Sequence, residues 1–350
     1  MPDLVIRALD PANDADMDGF QDVYAAAELA EDADASLYSR ADGVAMLANA
    51  DTTSLFDAFG AFLGEHMVAE AILMGSLRDN LDVAQLLVWV DPQHTRRGYG
   101  TRLLGHVEEQ ARTTRGRTIL RVQARVGDRL ERNRRFAEGH GYSLAMTEVE
   151  RRLPLPVDPG LLDRLAAEAA THHTDYEILS FLGPIPDELR ASYLEVENLL
   201  VVEMPHGDLE VEPRRNTVAD LDALDRERAA AGRTSVSALA VHQSGVVAFT
   251  GASVPSTEFR HVDQYGTLVH PDHRGHRLGM AVKCAQLRLL SERYPDRDYI
   301  GTSNAETNAH MVAINVALGF EIHQVWGEFE KRLDRGRRFV DRSMGGIPQV

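Results

Sequence analysis

The feature of this sequence that most constrains its fold is an internal repeat. Identical residues recur at an offset of 179 positions, in the pairs Gln85 and Gln264, Val90 and Val269, Pro92 and Pro271, His94 and His273, and Gly100 and Gly279. Farther along, Gly141-Tyr142 corresponds to Gly319-Phe320 with an offset one residue shorter. A spacing kept over this length indicates two copies of one fold. The 350 residues also suit two domains that each bury a core.

The composition is that of a globular protein with an acidic surface. The chain is 44% hydrophobic and 26% charged, with a formal net charge of −17, which disfavours nucleic acid and anionic membranes as partners. The charge either favours a cationic substrate or only maintains solubility. The N-terminus lacks a signal-peptide pattern, and no apolar run could span a membrane, so we expect a cytoplasmic protein. The single cysteine, Cys284, excludes an internal disulfide and is expected to pack in a core.

The hydrophobic pattern of the first copy predicts a mixture of strands and helices. Residues 83–90 are nearly all apolar, as expected for a strand covered on both faces. The helix that follows would place Leu103, Leu104 and Val107 on one face. The other predicted strands are 3–8, 54–63, 67–74, 118–126 and 143–155, and the other predicted helices are 17–27, 40–48 and 128–138.

The second copy repeats this pattern after a proline-rich connection. Pro154, Pro156 and Pro159 break regular structure, a short helix is predicted at 161–170, and the boundary is placed near Thr174. The predicted strands are 176–182, 235–242, 246–254, 261–269, 299–302 and 320–333, and the predicted helices are 187–199, 218–231, 308–317 and one that follows residue 277. The prediction is therefore a domain at 1–155, a linker at 156–174, a domain at 175–335 and a tail at 336–350.

Each copy contains a loop suited to a phosphorylated ligand. In the second copy, Pro271 ends the strand and a helix with apolar spacing starts at Leu278, next to Arg274 and Arg277. Loop amides and a helix N-terminus that converge on one point bind anions. The alternative is an ordinary connection between a strand and a helix, since glycine and proline punctuate most loops.

These motifs resemble the GNAT superfamily of acetyl-CoA-dependent N-acetyltransferases. The shared order is Val-x-Pro, a basic loop with glycines, a helix, a strand, a helix and then Gly-Phe or Gly-Tyr. Both copies match, as in the tandem proteins of actinobacteria with the organisation of mycothiol synthase. Each loop departs once from the family pattern, because Thr95 replaces a basic residue and Arg277 replaces a glycine. The resemblance implies an α/β fold class: two tandem folds, each with a mixed, mostly antiparallel sheet, flanking helices and a splayed cleft.

The resemblance also implies which residues would hold acetyl-CoA. The end of the splayed strand would pair with the pantetheine arm, and the loop amides would bind the pyrophosphate. In the second copy these positions are Leu268, Val269, His270, Arg274, Gly275, His276, Arg277, Leu278, Gly279, Met280 and, on a later loop, Asn304. In the first copy they are Val88, Val90, Arg96, Arg97, Gly98, Tyr99, Gly100 and Thr101.

Two further positions are implied for catalysis. The family carboxylate that deprotonates the amine falls on Asp263 in the second copy and on Ala84 in the first, where Asp82 is nearby. Asp263 could equally be a solvated surface residue. The family's general-acid tyrosine falls on Asn315 and Ala137, and an asparagine can donate a hydrogen bond to sulfur but no proton.

The sequence therefore predicts an N-acetyltransferase that uses acetyl-CoA and no metal. Its acceptor would be a primary amine of a small molecule, which attacks the thioester directly in the C-terminal domain. One alternative places catalysis in the N-terminal domain, whose Gly98-Tyr99-Gly100 loop is closer to the family pattern. Another is a non-catalytic acyl-CoA-binding sensor or scaffold. The protein would be a monomer or a homodimer.

Overall fold

A computed structural model describes residues 3–48, 54–127, 130–243, 245–255 and 259–333 of the chain. The predicted tail at 336–350 lies outside these residues. None of the helices in the described ranges is long and apolar enough to cross a bilayer.

The first half forms six strands and four helices within the described ranges. The strands are β1 (Leu4–Ala8), β2 (Ser54–Leu63), β3 (His66–Ser76), β4 (Val83–Val90), β5 (Ile119–Val126) and β6 (Ser143–Pro154). The helices are α1 (Asp14–Glu31), α2 (Arg40–Ala48), α3 (Tyr99–Thr113) and α4 (Glu131–Gly139). Asn13 starts α1, because its side chain accepts hydrogen bonds from the backbone amides of Ala15 and Asp16.

The second half begins with the connecting helix α5 and then repeats this order, with α7 as an additional short helix. Its helices are α5 (Pro159–Ala170), α6 (Asp187–Glu197), α7 (Leu200–Glu203), α8 (Val218–Ala230), α9 (Leu278–Arg293) and α10 (Ala309–Leu318). Its strands are β7 (Glu177–Leu182), β8 (Thr234–His242), β9 (Gly245–Val254), β10 (His261–Val269), β11 (Tyr299–Ala305) and β12 (Glu321–Arg332). Thr217 and Asp220 form a reciprocal capping box at the start of α8.

The two halves exchange their last strands within one continuous sheet. The order of its 12 strands is β1-β2-β3-β4-β5-β12-β6-β11-β10-β9-β8-β7. β12, from the end of the chain, pairs with β5 of the first half, and β6 pairs with β11 of the second half. The predicted domain boundaries at 155 and 175 stay a prediction. Residues 143–154, which precede the predicted boundary, pair with β11 and so complete the sheet of the second half.

The exchange is also visible in the hydrophobic cores. Phe329 of β12 is fully buried among first-half residues that include Leu86 and Leu103. Leu153 of β6 is buried with Leu287 and Ile300 of the second half. Burying an aromatic side chain of this size is worth about 2–3 kcal/mol, so neither core is complete without the other half.

The predicted α/β fold is confirmed, and most element boundaries agree within a few residues. β4 has the predicted bounds, and β11 continues three residues beyond its predicted end, to Ala305. Helix α7 was not predicted, because four residues are too few for a helical period to show. The predicted start of α4 at 128–129 falls outside the described residues.

Candidate active site

The sheet opens into a cleft at the same place in each half. β4 and β5 are parallel and pair only from Val83 to Leu86, after which the two strands separate. β10 and β11 likewise pair only from His261 to Asp263. We call the openings the first cleft and the second cleft. Each leaves one edge of a strand available to an extended ligand, which can add to the edge by hydrogen bonding.

The first loop, residues 91–98, directs the start of α3 at the first cleft. Asp91 begins the loop by accepting a hydrogen bond from the Gln93 amide at 2.8 Å. Arg96 and Gly98 both have positive φ angles, of 62° and 82°, and the turn they make brings the chain into the helix at Tyr99. The first amides of a helix have no partner within it, so α3 presents an anion-binding N-terminus.

The second loop, residues 270–277, has the same backbone turn but its side chains are already paired. Arg277 forms an ion pair with Glu168 of α5, and Arg274 forms one with Glu203 of α7. The His276 ring contacts a backbone carbonyl oxygen of the connecting region at 3.1 Å. The positive φ of 53° at Arg277, where the first loop has Gly98, turns that side chain toward α5. The two arginines of this loop therefore have partners within the chain, in ion pairs that are partly exposed to solvent.

A single large cavity of about 1400 Å³ runs along the sheet. It includes the first cleft, the start of α3 and one face of α1, and it continues past β12 and β6 to the second cleft. Of the predicted acetyl-CoA positions, it is lined by Val88, Val90, Arg96, Gly98, Tyr99, Gly100, Thr101 and Asn304. Within the described part of the chain, no predicted phosphate-binding residue of the second loop lines it. Arg97 faces back to its own loop and donates a hydrogen bond to the carbonyl of Gln93.

Comparisons with known proteins agree with this geometry. Residues 25–142 match the family described as acetyltransferase (GNAT) family. The first half carries a GNAT acetyltransferase domain. No curated protein matches the sequence significantly.

Solved structures resemble the whole chain. A tandem GNAT protein from the clavulanic acid biosynthesis pathway is 24% identical, with a TM-score of 0.74 over 94% of this chain and 98% of its own. A GCN5-related N-acetyltransferase from Sphaerobacter thermophilus is 15% identical, with a TM-score of 0.63 over 94% of this chain and 95% of its own. Identities this low show the fold alone, and that fold is the tandem GNAT arrangement.

The cavity has an aromatic and acidic face beside the first cleft. Trp89 of β4 donates a hydrogen bond to Glu28 of α1 at 2.7 Å, and Glu28 is ion-paired with Arg125 of β5. The Arg125 guanidinium lies 4.5 Å from the ring centre of Trp326, on β12. Trp326 in turn donates to Glu150 of β6 at 3.1 Å. Aromatic faces attract cations, and Arg125 already occupies the face of Trp326.

Two carboxyl groups on the exchanged strands have raised pKa values. Glu148 of β6 lines the cavity, and burial raises its pKa above the ordinary glutamate value. Glu328 of β12 is half-buried near it, and desolvation is also the main cause that raises the pKa of Glu328 to about 7, opposed by a hydrogen bond to Gln85. Glu328 is not among the cavity-lining residues. Sequence analysis missed both, because the GNAT pattern places the carboxylate on β4 or β10 and gives no sign of the exchange.

Asp263 lies in the cavity but is bound to a cation. It accepts a hydrogen bond from Arg233 at 2.7 Å, and the same guanidinium is paired with Asp42 of the first half. Asp263 could serve as a base only after release from this ion pair. Asn315 is fully buried and donates a hydrogen bond to Asn304 at 2.7 Å, so the structure brings these two predicted residues together. Their catalytic roles stay predictions.

One group of side chains beside the first loop could hold a divalent metal ion. One ligand atom from each of His66, Asp91 and His94 lies within 4.8 Å of the others. His94 already contacts Asp91 at 3.0 Å, so the group is tied together without an ion. The absence of a metal from the reaction stays a prediction.

Proposed function

We propose that the protein transfers an acetyl group from acetyl-CoA to a primary amine of a small molecule, with acetyl-CoA bound in the first cleft. The observation that carries this proposal is the difference between the two loops. The first loop opens onto the cavity, whereas the arginines of the second loop are paired with Glu168 and Glu203. The sequence favoured the second half, and the geometry favours the alternative.

The first cleft offers the contacts that acetyl-CoA needs. The pantetheine arm carries amides, and the edge of β4 beyond Leu86 can pair with them as a missing strand would. The pyrophosphate would lie on the amides from Arg96 to Thr101 at the start of α3. The thioester would then lie deeper between β4 and β5, toward the polar face formed by Trp89 and Arg125.

The amine must lose a proton before or during its attack on the thioester carbonyl. Glu148 is the group best suited to take that proton, because it lines the cavity and its raised pKa brings it closer to neutral pH. The new C–N bond forms as the C–S bond breaks, and coenzyme A leaves as a thiolate. A thiol with a pKa of about 8.5 can take its proton from water, so no tyrosine is required at Ala137.

The acceptor is proposed to be a compact amine that is cationic in solution. Trp89 and Tyr24 line the cavity at the first cleft, and Tyr24 stands perpendicular to Trp89 with ring centres 5.3 Å apart. Their faces would hold an ammonium group before Glu148 deprotonates it, whereas the face of Trp326 is already occupied by Arg125. The net charge of −17 would also attract such a substrate.

A matched pair of variants tests the role of Glu148. Glu148→Gln is expected to lower kcat by about 100-fold or more, to leave acetyl-CoA affinity unchanged, and to remove the fall in rate at low pH that protonation of Glu148 causes. Glu328→Gln is the control, because Glu328 is a half-buried carboxyl with a raised pKa that does not line the cavity. Thiol release is measured with a panel of small amines. A normal rate for Glu148→Gln with a loss for Glu328→Gln would transfer the role to Glu328.

A sensor that binds acyl-CoA without turnover is the second candidate. It is favoured by Ala137 and Asn315, which hold the positions of the family's general-acid tyrosine. Saturable acetyl-CoA binding with no thiol release for any amine in the panel is the outcome expected for a sensor. Turnover with any amine excludes it.

A further inference from the structure

The second cleft is polar at positions where the first cleft is apolar. Leu104 lines the first cleft, and the residue at the equivalent position in the second is Lys283. Ala137 likewise corresponds to Asn315. An apolar floor suits the pantetheine arm and thioester, whereas a buried lysine and asparagine require polar partners. The two clefts therefore share one backbone arrangement, but the second has polar side chains where the first has apolar ones.

Lys283 projects from α9 to the cavity while only 1% of its surface is exposed. Its ammonium nitrogen lies 5.0 Å from the ring centre of Phe320. Among the residues that the structure describes, it forms no hydrogen bond or ion pair. Burial lowers the pKa of Lys283 to about 7. A lysine placed in this way is half-charged near neutral pH and can pair with an anion that enters the cleft.

Two amide oxygens near this cleft also have no hydrogen-bond donor in the described part of the chain. The amide nitrogen of Gln264 donates to Thr250 and to the carbonyl of Gly251, which fixes the side chain and leaves its Oε1 without a partner. The nitrogen of Asn315 donates to Asn304, and its Oδ1 is likewise buried without a partner. Buried acceptors of this kind are normally satisfied. Gln264 lines the cavity and Asn315 does not, so a donor group on a ligand would match the oxygen of Gln264.

The second cleft is too far from the first to be part of the acceptor site for a small amine. In the sheet order β4-β5-β12-β6-β11-β10, the two openings are four strand spacings apart, which is about 19 Å at the usual spacing. Arg274 and Arg277 of its own loop are paired with Glu203 and Glu168. A ligand here is therefore distinct from both acetyl-CoA and the acceptor.

We propose that the second cleft binds a small carboxylate that also carries a hydroxyl or amino group, with Lys283 paired to the carboxylate and Gln264 accepting a hydrogen bond from the second group. A single lysine balances one negative charge, which fits a monocarboxylate better than a phosphate dianion. Thr267, Thr302 and Asn304 line the same part of the cavity and offer further polar contacts. This binding site goes beyond the proposed acetyl transfer and does not depend on it.

Glycolate and its neutral amide, glycolamide, are the matched probes for isothermal titration calorimetry. Glycolate is expected to bind the full-length protein saturably, and glycolamide is expected not to bind. Lys283→Met should abolish glycolate binding and leave acetyl-CoA affinity unchanged. Lys331→Met is the control, because Lys331 is the only other lysine and is ion-paired with Glu108; it should retain glycolate binding. Wild-type protein that binds glycolate but does not bind acetyl-CoA would contradict only the proposed function.

The pH dependence gives a readout that a purely structural lysine would not produce. In the described part of the chain, Cys284, next to Lys283 on α9, is the titratable group whose charge acts on the pKa of Lys283. Asp263 of β10 also lines the cavity, where it is paired with Arg233. Glycolate binding is expected to take up a proton above pH 7, and its affinity should fall about tenfold for each pH unit above that. Three results would overturn the proposal: no saturable glycolate binding, equal binding to Lys283→Met, or tighter binding of inorganic phosphate than of glycolate.

Discussion

Replacing Lys283 with methionine is expected to stabilise the protein by an amount that depends strongly on pH. In the unfolded chain the lysine has its ordinary pKa of 10.5, whereas burial lowers the pKa to about 7 in the folded protein. Between these two values the unfolded state binds a proton that the folded state does not. The free energy of unfolding of the wild type therefore rises with pH across this window, and the lysine is most costly below pH 7.

The magnitude follows from the size of the pKa shift. Each unit corresponds to about 1.4 kcal/mol, so the whole window is worth about 5 kcal/mol. The methionine variant keeps most of the apolar stem and has no proton to lose. Its advantage in unfolding free energy over the wild type should be constant below pH 7 and should shrink by about 1.4 kcal/mol per pH unit above it.

Equilibrium urea denaturation at a series of pH values measures this difference directly. Groups that titrate equally in both proteins cancel, and burial raises the pKa of the neighbouring Cys284 to about 11, above the window. A difference between the two proteins that does not change from pH 7 to pH 9 would refute the reasoning. It would mean that Lys283 remains charged in the folded protein.

Two further substitutions test the packing of the first half. Phe329→Ala should lower the free energy of unfolding by about 3–5 kcal/mol. Because Phe329 packs among first-half residues, hydrogen exchange should show reduced protection in β4 and β5 as well as in β12. An effect confined to the second half would contradict the strand exchange. Glu70→Leu should raise the free energy of unfolding at neutral pH by about 1–3 kcal/mol, because this fully buried carboxyl has no hydrogen-bond partner among the described residues and burial raises its pKa. An unchanged or lower melting temperature for Glu70→Leu would show that Glu70 has a favourable partner.

The elements of each half could be predicted because their signals are local. β4 is apolar at every position except Gln85 and is followed by Pro92, and its predicted bounds match the structure. The repeat that relates Gly100 to Gly279 identified both strand-to-helix loops, and the two loops have the same backbone turn in the structure. Patterns of this kind depend on residues a few positions apart, which a sequence shows directly.

The pairing of the halves could not be predicted in the same way. Alternation identifies β6 and β12 as strands but does not name their neighbours, so the exchange that brings Glu148 and Glu328 beside the first cleft left no trace in the sequence. The ion pairs formed by the arginines of the second loop are also long-range contacts. Arg277 is 109 positions from Glu168, and nothing local predicts that ion pair.

Acetyl-CoA binding to two matched variants tests the central claim most directly. Gly100 and Gly279 hold equivalent positions at the starts of α3 and α9, and a Cβ at either would lie 3.1 Å from one side-chain methyl group, of Val90 or Ile314. Aspartate suits the first turn of a helix but would place a negative charge at the pyrophosphate. By isothermal titration calorimetry, Gly100→Asp is expected to abolish acetyl-CoA binding, and Gly279→Asp is expected to bind as the wild type does. Loss of binding in Gly279→Asp alone would place acetyl-CoA in the second cleft and contradict the account.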